Sequence, residues 1–293
     1  MALYRLLNRI GCCLYTNQGS AATWHYIDCY NGNVVGYTPG VSVVGGFAGG
    51  VFSPTQNRIY LVPSASLTTW HYIDCSTGSV VAYTPGATIV AGGAYQSGCF
   101  SPTQNKFYFA PTLQATAASW HYIDCSTGSV VAYAAGAGAV SSSSYTGIYS
   151  PTQNRIYLSP FAQSTAAVWL YIDCNTGSVV SYNPGVTAAV NAYVGGCYCP
   201  SLNRIYFAPY GQSTAASWHY IDCNTGSVVT YNTNAIGIVS SYYSMIFSPT
   251  QNRIYNIPWT QGAQPTWHYI QITGDNSGLC PYMFGSTILS SGF

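Results

Sequence analysis

Glutamate is absent from this 293-residue chain, and charged residues of every kind make up only 4% of it, against roughly 25% in an average soluble domain. Each scarcity excludes something. Without glutamate, paired carboxylates for acid–base catalysis would have to come from the six aspartates, five of which recur at one place in a repeat. The net charge is +1 and the basic residues are spread evenly along the chain, which leaves no basic patch for nucleic acid. No apolar run reaches the ~18 residues of a membrane-spanning helix. Arg5 and Arg9 interrupt Met1–Tyr15 too often for a signal peptide. No serine sits in a Gly-x-Ser-x-Gly elbow, and no Gly-x-Gly-x-x-Gly opens a helix. Neither an enzyme activity nor a cofactor is expected.

What the sequence does contain is one phrase written six times. Its Asn recurs as Asn8, Asn57, Asn105, Asn154, Asn203 and Asn252, in steps of 48 or 49 residues. Its Trp recurs as Trp24, Trp70, Trp120, Trp169, Trp218 and Trp267. These mark repeats one to six. From Asn252 through the chain end and round to Asn8 is one further period, the arithmetic of a closed ring rather than of a capped solenoid. Four strands are read in each repeat: a Gly-, Ala- and Ser-rich strand such as Gly92–Phe100, then Arg58–Val62, Trp70–Cys75 and Ser79–Tyr83. Turns at Ser101-Pro102-Thr103-Gln104 and Cys75-Ser76-Thr77-Gly78 punctuate them. The expected fold is all-β: a six-bladed β-propeller with four antiparallel strands per blade, one domain over 1–293. The chain enters repeat one at Leu7-Asn8-Arg9-Ile10, and its tail, Thr287–Phe293, reads like the approach to a first strand. The two chain ends are therefore expected to meet in blade one and close the ring.

Two phrases, Pro-x-x-Asn-Arg-Ile-Tyr and Tyr-Ile-Asp-Cys-x-Thr-Gly-x-Val-Val, resemble the repeat of YVTN-type β-propellers over all six units. The resemblance implies a propeller and carries no catalytic residue with it. The wording also resembles uncharacterised repeat proteins of large DNA viruses and phages, which implies a virion or other extracellular assembly as context.

The repeated Trp-His-Tyr-Ile-Asp-Cys places polar residues close together in sequence. On a strand, however, alternate side chains face opposite ways, so the His and the Asp diverge. His25, His71, His121, His219 and His268 are therefore read as packing residues, the more so because Leu170 takes the same place in repeat four. Cys29, Cys75, Cys125, Cys174 and Cys223 occur once per repeat, too far apart for disulfides, and are read as buried thiols. The repeated Arg (Lys106 in repeat three) and Asp are read as a structural pair or turn brace, with Asp275 as a counter-charge for Arg253 where Gln271 replaces the Asp. The Gly45–Gly46, Gly92–Gly93 and Gly195–Gly196 pairs are expected where inner strands converge.

Function should lie where the repeats differ on an open face. Seven residues after the repeated Asn stand Tyr15, Ser64, Thr112, Phe161, Tyr210 and Trp259, aromatic in four consecutive repeats round the ring. Gln163, Gln212 and Gln261 follow two positions later. An aromatic crescent with amides beside it suits a sugar ring or a partner's apolar patch. The sequence therefore reads as a non-catalytic structural or interaction propeller whose partners are other proteins of an assembly, with homo-oligomers among the possibilities. The alternative is a lectin-like module that binds a glycan through Tyr15, Phe161, Gln163, Tyr210, Gln212, Trp259 and Gln261.

Overall fold

Each repeat makes strands in the same way, beginning at its asparagine. Asn57, Asn105, Asn154, Asn203 and Asn252 hold φ between 50° and 52°, the left-handed region that Asn tolerates better than most residues. That conformation closes the first hairpin. The Asn carbonyl then accepts the N–H of Cys75, Cys125, Cys174, Cys223 or Ile272 at 2.9–3.0 Å, which anchors the hairpin that follows. Its side chain reaches the preceding repeat: Thr55 Oγ1 donates to Asn105 Oδ1 (2.5 Å), Thr152 Oγ1 to Asn203 Oδ1 (2.9 Å) and Ser201 Oγ to Asn252 Oδ1 (3.2 Å).

The computed structural model describes residues 22–28, 30–41, 47–64, 68–90, 92–233, 236–272 and 282–285. The chain divides into two compact units, Met1–Ala135 and Gly136–Phe293. The first contains a two-stranded sheet, β1 (Trp24–Ile27) with β2 (Val34–Tyr37), and two four-stranded blades. Repeat two forms β3 (Phe47–Ser53), β4 (Arg58–Pro63), β5 (Trp70–Asp74) and β6 (Val80–Tyr83). Repeat three forms β7 (Tyr95–Ser101), β8 (Lys106–Pro111), β9 (Ser119–Asp124) and β10 (Val130–Ala134). The second unit contains three blades. They are β11 (Ser144–Ser150), β12 (Arg155–Pro160), β13 (Trp169–Asp173) and β14 (Ser178–Tyr182); β15 (Tyr193–Cys199), β16 (Arg204–Pro209), β17 (Ser217–Asp222) and β18 (Ser227–Asn232); and β19 (Tyr242–Ser248), β20 (Arg253–Pro258), β21 (Trp267–Gln271) and β22 (Tyr282–Gly285). Short 3-10 helices follow the second strand in four repeats: η1 (Leu113–Thr116), η2 (Ala162–Thr165), η3 (Gly211–Thr214) and η4 (Thr260–Ala263).

The expectation of six four-stranded blades is corrected to five, with a two-stranded sheet in repeat one. A strand joins a blade only through a paired ladder, and among the described residues β1 pairs with β2 alone. Residues 7–10 and 287–293, on which ring closure was expected, lie outside the described residues. Among the described residues no helix is long and apolar enough to cross a membrane.

Within each unit the blades bury both faces. Trp70, Trp120, Trp169 and Trp218 are fully buried. Trp70 meets Phe109 of the next repeat edge-on at 5.6 Å, and Trp169 meets Phe207 at 6.1 Å. Cys75, Cys125, Cys174 and Cys223 are buried thiols in this packing, outside any disulfide. Cys12, Cys13, Cys29 and Cys280 lie outside the described residues. On the other face each repeated cation lies over the third-strand tyrosine: Arg58 on Tyr72, Lys106 on Tyr122, Arg155 on Tyr171, Arg204 on Tyr220 and Arg253 on Tyr269, at 4.2–4.5 Å. Leaving Arg253 aside, each such pair contributes about 0.5–1 kcal/mol at a partly exposed site. The Asp opposite in register caps its own turn, Asp74 Oδ1 accepting from Ser76 N and Asp173 Oδ1 from Asn175 N at 2.8 Å. In repeat six Arg253 Nε donates to Gln271 Oε1 at 2.7 Å, so Gln271 itself answers the cation. Asp275 lies outside the described residues.

Candidate functional site

Two sets of residues compete for a role: the buried histidine row and the loop aromatics. The histidines point toward the first strand of their own blade. Tyr95 Oη shares a hydrogen bond with His121 Nδ1 (2.7 Å), Tyr193 Oη with His219 Nδ1 (2.6 Å), and Tyr242 Oη with His268 Nδ1. Burial lowers the pKa of His71, His121 and His268, and pushes that of His219 down to about 4. These imidazoles are buried, neutral and tied to a phenol. Repeat two departs from the rule, because Phe47 takes the tyrosine's place. Its ring meets His71 edge-on at 5.5 Å, and His71 Nδ1 is buried without a partner. Phe47→Tyr is therefore expected to stabilise the protein by about 1 kcal/mol, seen as a higher urea midpoint. An unchanged midpoint would show that the orphaned nitrogen costs nothing.

The loop aromatics are assembled differently. Phe161, Tyr210 and Trp259 are the N-cap residues of η2, η3 and η4. Their backbone N–H groups donate to Ser143, Ala192 and Ser241, at 2.7–3.0 Å, so each helix is pinned just ahead of the blade's first strand. That strand carries a β-bulge between Ser144 and Gly147, Tyr193 and Gly196, and Tyr242 and Ser244. A bulge re-aims a side chain, and here it brings two further tyrosines to the helices. Tyr145 packs on Phe161 (4.5 Å), Phe161 on Tyr210 (5.8 Å) and Tyr243 on Trp259 (5.4 Å), while Tyr145 and Tyr243 meet at 6.4 Å. The intervening strand permits that meeting because Gly195 is small: a Cβ there would stand 2.7 Å from the Tyr243 carbonyl oxygen. The result is a continuous platform of five rings from repeats four, five and six, with Trp259 57% exposed. Val190 and Val239 are exposed on the adjoining loops.

Sequence reasoning named Phe161, Tyr210 and Trp259, and the structure joins them; Tyr15 lies outside the described residues. Tyr145 and Tyr243 escaped it, although each follows the first residue of a first strand. Gln163, Gln212 and Gln261 are placed elsewhere. They are buried, and their amides staple the loops: Gln163 Oε1 accepts from Val140 N and Nε2 donates to Val168 O, while Gln212 bridges Ala189 N and Ser217 O, and Gln261 bridges Ile238 N and Thr266 O. Their carbonyls and amines thus face backbone rather than a ligand. A signal was present, because Gln114 fills the same slot and bridges Val90 N and Ser119 O in a repeat whose preceding residue is Thr112. Of the glycine pairs, Gly195 permits the close approach expected of it. Gly92 and Gly93 instead occupy a turn with φ of 61° and 72°, and Gly45–Gly46 lies outside the described residues.

No protein-family model matches the chain, and neither does any curated protein. Solved structures resemble it in fold. An auxiliary nutrient binding protein from Bacteroides thetaiotaomicron VPI-5482 is 12% identical over 79% of this chain and 60% of its own, with a TM-score of 0.51. A protein of unknown function from the same organism is 11% identical over 86% and 66%, with a TM-score of 0.50. The Mitotic Checkpoint Complex contains a chain 10% identical over 86% and 71%, with a TM-score of 0.57. The fold is a β-propeller. The chain spans 60% and 66% of the length of the two Bacteroides proteins, and at these identities the likeness is one of fold alone.

Proposed function

We propose that this chain is a non-catalytic interaction propeller that meets its partner through the five-ring platform, as a component of a virion or other large extracellular assembly. The observation that carries this reading is the continuity of Phe161, Tyr145, Tyr243 and Trp259, with Tyr210 beside Phe161. Trp259 is exposed and the other four rings are half-buried, and Trp and Tyr are over-represented at the energetic centres of interfaces. The scarcity of charge suits a surface that packs against others without salt-sensitive steering, and the likeness to YVTN-type repeats supplies no chemistry that competes with this role.

A second reading, a lectin-like module, is favoured by one feature. The segments 142–146, 161–165, 190–194, 210–214, 238–243 and 259–263 that build the platform contain no charged residue, so the site offers ring faces and neutral polar groups only. Both readings are tested by Phe161→Ala/Tyr210→Ala/Trp259→Ala. Wild type is expected to bind immobilised glycans or to self-associate in sedimentation, and the triple variant to lose that behaviour by tenfold or more while still folded. A wild type that is monomeric and silent on glycans, or a variant equal to it, would sink the platform as a binding face.

A further inference from the structure

Beside each platform helix, the loop entering the blade passes through the left-handed region at a residue that is not glycine: Ser142 (φ 56°), Asn191 (φ 52°) and Ser240 (φ 58°). Their carbonyls accept the N–H of Ala162, Gly211 and Thr260 at 3.2, 2.9 and 3.4 Å, the residues next to Phe161, Tyr210 and Trp259. In repeat three, which has Thr112 in place of an aromatic, the corresponding carbonyl belongs to Gly93 at φ 72°. Glycine adopts this conformation freely and Asn tolerates it, as at the repeated Asn of the first hairpin, whereas Ser is uncommon there. The three side chains are half-buried and make no hydrogen bond among the described residues. Where a repeat carries a ring, it thus also carries a polar residue at this turn with its hydrogen-bonding capacity open.

Resting on the platform as the binding face, the geometry points to a neutral oligosaccharide as its ligand, stacked on the rings and read by Ser142, Asn191 and Ser240. The rings supply flat apolar area for the C–H faces of successive sugars. Two hydroxyls and an amide, one per repeat, supply donors and acceptors to sugar hydroxyls. The lack of charge in these segments disfavours sulfated, phosphorylated or uronate-rich chains, which call for Arg or Lys. The three polar residues take the directing role that buried Gln163, Gln212 and Gln261 cannot.

The test is calorimetric titration of cellohexaose, chitohexaose and mannohexaose into three proteins: wild type, the platform triple alanine variant, and Ser142→Gly/Asn191→Gly/Ser240→Gly. Glycine suits the left-handed positions, so the last variant is expected to melt at the wild-type temperature or above it. Wild type should bind at least one probe, the alanine variant none, and the glycine variant about tenfold more weakly than wild type. A glycine variant that binds as tightly as wild type, with the alanine variant still silent, overturns the polar assignment and leaves the platform standing. Failure of wild type to bind any probe overturns the saccharide assignment, and the sedimentation comparison above then judges the platform on its own.

Discussion

Between pH 7 and pH 4 the protein is expected to lose several kcal/mol of folding stability, measured as a falling urea midpoint at pH 7, 6, 5 and 4. The cause is the row of neutral imidazoles. His71, His121, His219 and His268 all have folded pKa values below the ordinary 6.5 because burial disfavours the cation. As pH falls through 6.5 the unfolded chain takes up protons that the folded chain refuses, so the balance shifts toward unfolding until the folded pKa is reached. Stability is therefore complete above about 6.5 and declines below it. His219, displaced to about 4, accounts for roughly 2–3 kcal/mol of the loss. Tyr193→Phe/His219→Leu, which copies the leucine that repeat four carries as Leu170, should flatten the acid limb. An acid limb as steep as that of wild type would reject the histidine row as its origin.

The other large effect is expected at tryptophan, and it should depend on the repeat. Trp169 is fully buried, with the rings of Phe207 and His219 from the next repeat against it. Truncating it to Ala removes a large buried side chain and leaves a cavity, at a cost of about 3–5 kcal/mol. Trp267 holds the equivalent place in repeat six with 52% of its surface exposed, and Trp267→Ala should cost about 1 kcal/mol or less, since solvent already reaches the space it would vacate. Equal losses in parallel urea titrations would contradict the burial difference.

The four-strand grammar was legible in the sequence because it rests on local chemistry. A Pro that presets the first turn, a Cys-Ser-Thr-Gly hairpin and alternating Trp-His-Tyr-Ile-Asp each dictate their own few residues, and the alternation places His and Asp on opposite sides without any knowledge of tertiary structure. The count of complete blades was not legible, because it depends on which edges find a partner, and among the described residues β1 pairs with β2 alone. The platform was half legible. Phe161, Tyr210 and Trp259 stood out by position, but Tyr145 and Tyr243 reach them through bulges that break the two-residue period on which strand reading relies. The glutamines looked like ligand groups because nothing in a linear string shows that a loop backbone will surround an amide.

The clasp from Thr152 to Asn203, repeated from Ser201 to Asn252, has a bearing on inheritance. Where the clasp forms, a repeat's turn is completed by an atom from its neighbour, so a stretch of gene encoding one such repeat does not encode a self-sufficient piece of protein. Duplication can lengthen such a chain only when the new copy keeps both halves of the clasp, the hydroxyl it offers forward and the asparagine it offers back. The Ser-Pro-Thr-Gln-Asn phrase accordingly recurs in repeats two, three, four and six, and in repeat five, where the Thr is lost, Ser201 still supplies the hydroxyl.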